Sequence, residues 1–120
     1  MNIYKDALRE CLPRLLSLYN LDPVSASFGI GDRRHWGWKT IDFPNGAMQG
    51  GVLSLAVAIR LELAPNPDFF LGVIGAAIRA VRKVRASNGS LCEAYPFENS
   101  FCVTAQAAFD ILSALDVLDG

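Results

Sequence analysis

The stretch from Gly31 to Pro44 gathers most of the residue types in this chain that could support chemistry. It holds the only histidine, His35, and both tryptophans, Trp36 and Trp38. Flat indole rings suit the apolar faces of sugars, and neighbouring polar groups can fix the sugar hydroxyls. Guanidinium groups suit bidentate binding of a carboxylate. These residue types would suit contact with an acidic sugar. The cations of the stretch are Arg33, Arg34 and Lys39.

A second polar stretch runs from Glu93 to Ser100, just before the last apolar segment. We interpret both stretches as loops at the ends of helical hairpins, so that any site is built there. Glu93 and Glu98 are five residues apart, and this spacing alone does not make them an acid and base pair. The predicted ligand-binding residues are Arg33, Arg34, His35, Trp36, Trp38, Lys39, Glu93, Tyr95 and Glu98.

Taken residue by residue, a structural role is the preferred interpretation of the same side chains. Trp36 and Trp38 could form a hydrophobic plug under a long loop, and His35 could be packed or hydrogen-bonded beside them. Arg33 and Arg34 could hold the two loops together by ion pairs, because both loops also carry acids. The acids available for such pairs are Asp32, Asp42, Glu93 and Glu98.

Several other kinds of site are not indicated. One histidine and three scattered cysteines (Cys11, Cys92 and Cys102) do not fill a standard metal site, and no metal or cofactor is expected. The segment Gly29-Ile30-Gly31 lacks the third glycine of a dinucleotide-binding loop. A net charge of −1 provides no broad positive field for nucleic acid. The catalytic residues, if any, stay unknown.

Composition points to association. Apolar residues make up 52% and charged residues 19% of the chain, against roughly 45–50% and about 25% in ordinary domains. We therefore expect a homo-oligomer or a partner chain. The first residues do not resemble a secretory signal, and the odd number of cysteines without CxxC spacing indicates reduced thiols. We therefore expect a cytoplasmic location. The apolar run from Gly50 to Ile59 is shorter than the roughly 20 residues of a membrane span, and no span is expected.

Apolar periodicity predicts a single helical domain over residues 1–120, all-α and arranged as antiparallel hairpins. Asn66 is predicted to cap the third helix, Asn99 or Ser100 the fourth, and Gly89 to end the third. No segment alternates like a strand. The predicted helices run from Ile3 to Tyr19, with Pro13 inside, from Pro44 to Leu63, from Asp68 to Ala86, and after Ser100 to Leu118.

Two features of these helices bear on packing. Gly46, Gly50 and Gly51 lower the propensity of the second helix, so we expect another backbone to pack closely there. The fourth helix has an unusually wide apolar face. Its members are Phe101, Thr104, Ala105, Ala108, Phe109, Ile111, Leu112, Leu115 and Leu118.

An ordered set of short motifs between Leu21 and Phe109 resembles the amino-terminal part of heparinase II/III-like proteins. Each motif is weak alone, and their order makes the set moderately specific. The motifs are Leu21-Asp22-Pro23, Phe28-Gly29, Asp32-Arg33, Trp36, Lys39, Asp42-Phe43-Pro44, Asn66-Pro67, Asn88-Gly89-Ser90, Glu93, Tyr95-Pro96, Glu98 and Ser100-Phe101.

The resemblance implies a partial α/α toroid of helical hairpins, which in that family is followed by a β-rich domain. Enzymes of the family cleave acidic polysaccharides by β-elimination, but their catalytic tyrosine and histidine come from later regions. No catalytic residue is therefore carried over, and the two loops correspond to a toroid rim. We predict recognition of an acidic polysaccharide by a chain that is not catalytic alone. The alternatives are a protein-interaction or oligomerisation module, and a polysaccharide lyase completed by oligomerisation or by a partner chain.

Overall fold

The computed structural model describes residues 2–31, 45–93 and 98–120. In these residues the chain forms four α-helices and one antiparallel sheet of two short strands. The predicted, mostly helical class is thereby confirmed, and the toroid-like arrangement stays a prediction. The helices are α1 (Ile3–Ser17), α2 (Val52–Arg60), α3 (Pro67–Ala80) and α4 (Phe101–Asp119), and the strands are β1 (Leu91–Cys92) and β2 (Asn99–Ser100).

Side-chain caps set the starts of three helices. The Asn2 Oδ1 atom accepts hydrogen bonds from the backbone N–H groups of Tyr4 and Lys5 at the start of α1. Asn66 accepts from the Phe69 N–H at 3.1 Å, and Ser100 accepts from the Val103 N–H at 3.2 Å. The predicted caps of α3 and α4 are confirmed. Each cap satisfies an N–H group that has no partner within its helix.

Helix α2 is shorter than predicted. A 3-10 turn at Gln49–Gly51 precedes it, and it ends at Arg60 instead of Leu63. Glu62 has a φ of +59°. The Leu63 N–H donates to the Ala58 carbonyl at 2.8 Å, and the Glu62 N–H donates to the Ile59 carbonyl at 3.0 Å. This is the hydrogen-bond pattern of a Schellman motif, with glutamate at the position that glycine usually occupies.

The region after α3 also differs from the prediction. The helix ends at Ala80 and continues only as a 3-10 turn, Val81–Lys83. Gly89 has a φ of +88° in the turn that joins Arg85 to Leu91, which form an isolated antiparallel bridge. Gly89 therefore serves a β-type turn and does not end α3. The prediction of no strands was wrong, because strands of two residues are too short to show an alternating pattern.

Helix α2 is central to the core and packs against α1, α3 and α4. Its Val52, Leu55, Ala56 and Ala58 are fully buried. They pack with apolar side chains of the neighbouring helices, including Leu12, Phe70, Val73, Ile74, Ala77 and Ala114. A second, smaller cluster lies around β1 and consists of Ile30, Ala80, Val84, Leu91, Cys92 and Ala107.

Two of the three glycines before α2 face side chains, not the backbone that we had expected. A Cβ atom built on Gly51 would collide with the Tyr19 hydroxyl, and one built on Gly50 would collide with the Asp110 carboxylate. Only Gly46 would meet a backbone atom, the Cys92 carbonyl oxygen, at 3.3 Å. Glycine is therefore retained where three different segments approach the start of α2.

Helix α4 is apolar on two sides. The inner side buries two small residues, Ala114 in the core cluster that contains α2 and Ala107 in the smaller cluster around β1. On the other side, the predicted apolar face is largely open to solvent. Its exposed large residues are Phe101 (86%), Phe109 (66%), Leu112 (66%) and Leu115 (46%).

By length and composition, α4 is the one helix in the described parts of the chain that could cross a membrane. It has 19 residues and a mean hydropathy of 1.5, and 11% of that window is buried. A single helix of this kind is weak evidence for a span, since a core helix passes the same test. The segment that we had considered from the sequence, Gly50 to Ile59, is shorter.

Candidate functional site

The described ends of the two polar stretches meet. The Gly46 N–H donates a 2.7 Å hydrogen bond to the Cys92 carbonyl oxygen, and the Glu93 N–H donates a 2.8 Å bond to the Glu98 carbonyl oxygen. We call Gly31, Asn45, Gly46, Glu93 and Glu98 the loop roots, because residues 32–44 and 94–97 lie between them. In the described chain, the bond between Gly46 and Cys92 thus joins the root of one stretch to the residue that precedes the root of the other.

Glycine fits closely at this junction. A Cβ atom on Gly46 would lie 3.1 Å from the Leu91 Cβ and 3.3 Å from the Cys92 carbonyl oxygen. Contacts this short force a neighbour to move, and one of these neighbours is backbone. A larger residue at position 46 would therefore push the two roots apart.

The Gly31 root is held by Gln49, which is fully buried. The Gln49 Oε1 atom accepts from the Gly31 N–H at 2.8 Å. Its Nε2 atom donates to the carbonyl oxygens of Gly29 at 3.1 Å and Ala77 at 2.8 Å. One side chain therefore satisfies three buried backbone groups. Sequence reasoning missed Gln49, and its only signal was a polar side chain within an otherwise apolar run.

An open cleft of about 450 Å³ lies beside β2 and the start of α4. The Thr104 Oγ1 atom accepts from the Leu91 N–H at 2.9 Å and donates to the Ser100 carbonyl at 2.6 Å, which fixes one wall. The Asn99 side chain is exposed and makes no hydrogen bond to another described residue. The lining residues are Asn88, Gly89, Ser90, Asn99, Ser100, Phe101 and Thr104.

Four exposed cations lie within residues 79–85, a segment whose last residue, Arg85, bridges to β1 on the side away from β2. We call Arg79, Arg82, Lys83 and Arg85 the basic patch. Arg85 bridges to Leu91 in β1, and the Cys92 N–H donates to the carbonyl oxygen of the intervening Val84 at 3.0 Å. Of these four cations only Arg79 lies within α3, since the other three follow the end of that helix.

The basic patch is not neutralised by described side chains. Over residues 2–31, 45–93 and 98–120, the single ion pair joins Arg9 to Asp6 at 2.9 Å. The Lys83 ammonium instead donates to the Phe28 carbonyl at 3.1 Å and lies 5.9 Å from the centre of the Phe28 ring. The patch therefore presents positive charge that is available to an anion.

Two of the predicted ligand-binding residues lie in the described chain. Glu93 is half-buried at the base of its loop, and Glu98 is exposed. Neither carboxylate forms an ion pair with a described cation. The remaining seven lie outside the described residues, as do Asp32 and Asp42, so their predicted contacts stay predictions. These seven are Arg33, Arg34, His35, Trp36, Trp38, Lys39 and Tyr95.

The chemistry of the described site is that of binding. Amide and hydroxyl groups can exchange hydrogen bonds with sugar hydroxyls, and guanidinium groups can hold carboxylates. In the described ranges, no group of three or more His, Cys, Asp or Glu side chains could hold a metal ion. The cleft was not predicted because Gly89 was expected to end a helix, whereas the turn Asn88-Gly89-Ser90 forms part of the cleft wall.

Comparisons with protein-family models, curated proteins and solved structures give no match to this chain.

Proposed function

We propose that this chain binds an acidic polysaccharide at the surface around β1. One observation carries the proposal: β1 lies between a polar cleft and a basic patch whose cations form no ion pair with a described carboxylate. On one side Leu91 pairs with Arg85, and on the other it pairs with Ser100. A ligand with both hydroxyl and carboxylate groups can form hydrogen bonds in the cleft and ion pairs with the basic patch at the same time.

The cleft suits the neutral part of a sugar ring. The Asn99 amide offers a donor and an acceptor, and the Asn88 amide nitrogen is a second donor near it in the cleft lining. The resemblance to heparinase II/III-like proteins points to the same class of ligand.

The basic patch suits the anionic groups of the polymer. Arg82 and Arg85 are exposed, and arginine can bind a carboxylate or sulfate through two parallel hydrogen bonds. Because the patch is exposed, salt should screen the interaction. The predicted cations Arg33, Arg34 and Lys39 would extend this positive surface if they lie near their loop roots.

Binding, and not cleavage by this chain alone, is proposed. The described cleft presents amides, hydroxyls and an aromatic ring, and none of these is a general base near neutral pH. The root carboxylates Glu93 and Glu98 are the nearest described candidates along the chain, but they would repel an acidic ligand.

Calorimetric titration with oligosaccharides tests the proposal. Uronate-containing oligosaccharides should bind, and neutral oligosaccharides of equal length should bind at least about tenfold more weakly. This ratio corresponds to a difference in binding free energy of roughly 1.4 kcal/mol. Tryptophan emission followed in the same titrations reports specifically on residues 36 and 38, which are the only tryptophans.

Two variants and a control locate the site. The double variant Arg82→Ala, Arg85→Ala should bind the uronate-containing oligosaccharides more weakly. Asn99→Ala should also weaken their binding, but it should still bind them more tightly than the neutral oligosaccharides. Arg60→Ala removes an exposed cation at the end of α2 and should have no effect. The proposal fails if acidic and neutral sugars bind equally, or if the double variant binds like Arg60→Ala while circular dichroism shows both folded.

A further inference from the structure

The outer side of α4 is an apolar surface that the described chain leaves uncovered. Phe101, Ala105, Ala108, Leu112 and Leu115 follow one another at helical spacing along it, and each is exposed. Phe109 flanks this row and is also exposed. We call these six residues the outer face of α4. We propose that a second copy of this chain covers it, with the two α4 helices packed antiparallel about a two-fold axis.

The exposed apolar area of the outer face is comparable with the largest apolar patch of a typical monomer. Phe101 is 86% and Phe109 66% exposed, which at about 200 Å² for each side chain corresponds to roughly 300 Å². These two side chains alone reach the lower end of the range of areas for the largest apolar patch on a typical monomer, about 300–600 Å². Leu112 and Leu115 extend the patch, and symmetric pairing doubles the area that is removed from water.

The order of side chains fits an antiparallel pair. With the axis near Ala108 and Phe109, each Phe109 lies against its own counterpart. Leu112 then lies opposite Ala105 of the other copy, so that a large side chain meets a small one. Leu115 lies opposite Phe101, at the end of the row. Each position of the outer face therefore meets an apolar position of the same face, as a two-fold interface requires.

The charges of α4 favour the same arrangement. The helix has no acidic residue in its first turn and no basic residue in its last turn, and Asp116 and Asp119 lie near its C-terminus. Those carboxylates oppose the dipole of their own helix. In an antiparallel pair, Asp116 lies beside the N-terminus of the partner's α4, where negative charge is stabilising. The second copy thus supplies the charge that each helix lacks.

A membrane surface fits the outer face less well. Helices that lie on membranes carry lysine or arginine beside their apolar face to meet anionic lipid headgroups. The segment Phe101–Asp119 contains no lysine or arginine, and its charged residues are Asp110, Asp116 and Asp119. Anionic lipid would therefore repel the helix. The opposite side of α4 is already packed on α2.

Sedimentation equilibrium of the full chain tests the pairing. The wild type should form a dimer whose population rises with concentration. Leu112→Asp should raise the dimer dissociation constant at least about tenfold, because a charge replaces the apolar contact near the centre of the interface. Leu71→Asp is the matched control, since Leu71 is a partly exposed leucine (44%) on α3. It should dimerise as the wild type does.

Disulfide trapping tests the antiparallel order. Cys11 and Cys102 are exposed and are first replaced by serine. Chains with Ala105→Cys and chains with Leu112→Cys should then cross-link efficiently when mixed and oxidised, and poorly when oxidised separately. Equal cross-linking in separate samples would overturn the antiparallel order.

The remaining outcomes overturn the proposal outright. A wild-type chain that stays monomeric over the accessible concentrations has no second copy on α4. A monomer that binds phosphatidylcholine–phosphatidylglycerol vesicles, and loses this binding in Leu112→Asp, would assign the face to lipid instead. The self-association does not depend on sugar binding, so either proposal can fail while the other stands.

Discussion

The Tyr19 hydroxyl donates a 2.9 Å hydrogen bond to the Met48 carbonyl oxygen. This bond joins the end of the α1 region to the segment that enters α2. The Tyr19 side chain is 2% exposed. Burial raises the pKa of Tyr19 well above its ordinary value, and the nearby Asp110 carboxylate raises it further. Both causes disfavour the phenolate in the folded chain.

The first prediction concerns alkaline pH. Because the folded chain holds the Tyr19 proton more tightly than the unfolded chain does, the free energy of unfolding should fall as pH rises above about 10, the ordinary tyrosine pKa. Tyr19→Phe should lower stability at neutral pH, through loss of the hydrogen bond, and reduce the alkaline slope. Urea unfolding across this pH range measures both. Tyr4→Phe, at an 84% exposed tyrosine, should keep the slope.

The second prediction compares two helical-region glycines. Alanine in place of glycine inside a helix stabilises by about 1 kcal/mol where there is space. A Cβ on Gly72 in α3 meets nothing within 4 Å, so Gly72→Ala should raise the melting temperature. A Cβ on Gly51 meets the buried Tyr19 hydroxyl, so Gly51→Ala should destabilise by about 1–3 kcal/mol. Equal shifts of the two melting temperatures would contradict this packing.

The third prediction concerns the left-handed residue that ends α2. Glu62 has a φ of +59°, a conformation that costs a residue with a Cβ about 1 kcal/mol or more. Glu62→Gly should therefore raise the free energy of unfolding by up to about 1 kcal/mol. The control is Glu10→Gly, at an exposed position inside α1. This variant should lower the free energy of unfolding by a similar amount. Chemical denaturation distinguishes the two signs directly.

The fourth prediction tests the bonds that hold Gly31. Gln49→Leu keeps a side chain of similar size but leaves three buried backbone groups without their partner. Each such group costs about 1–3 kcal/mol, so this variant should be severely destabilised. Gln106→Leu loses only an exposed 3.0 Å bond to Asp110 and should unfold almost as the wild type does. Comparable denaturation midpoints for Gln49→Leu and Gln106→Leu would mean that the hydrogen bonds of Gln49 do not stabilise the fold.

Features that depend on near neighbours could be predicted from the sequence. A cap acts over three residues, so Asn66 and Ser100 were recognisable from their place before apolar runs. The buried stripe of α3, which includes Phe70, Ile74 and Ala77, follows from helical spacing. These predictions required no knowledge of what packs nearby.

Features that depend on distant contacts could not be predicted. The bonds of Gln49 reach residues 18 to 28 positions away, and nothing local specifies them. The side of α4 that stays open is set by where α2 lies, since both sides of α4 are apolar. The cleft could not be found either, because the Asn88 turn and Asn99 are brought together by a sheet too short to leave a pattern.

The position of α2 between α1, α3 and α4 also fixes how the folded chain can open. Any opening that separates α1, α3 or α4 from the core also breaks contacts of α2. Each of these outer helices, by contrast, can lose its own contacts with α2 while the other two keep theirs. Amide hydrogens of Leu55 and Ala56 should therefore exchange with solvent only in the largest openings. Those in the first turn of α1 and the last turn of α4 should exchange early. The most persistent part of this domain is thus one of its shortest helices.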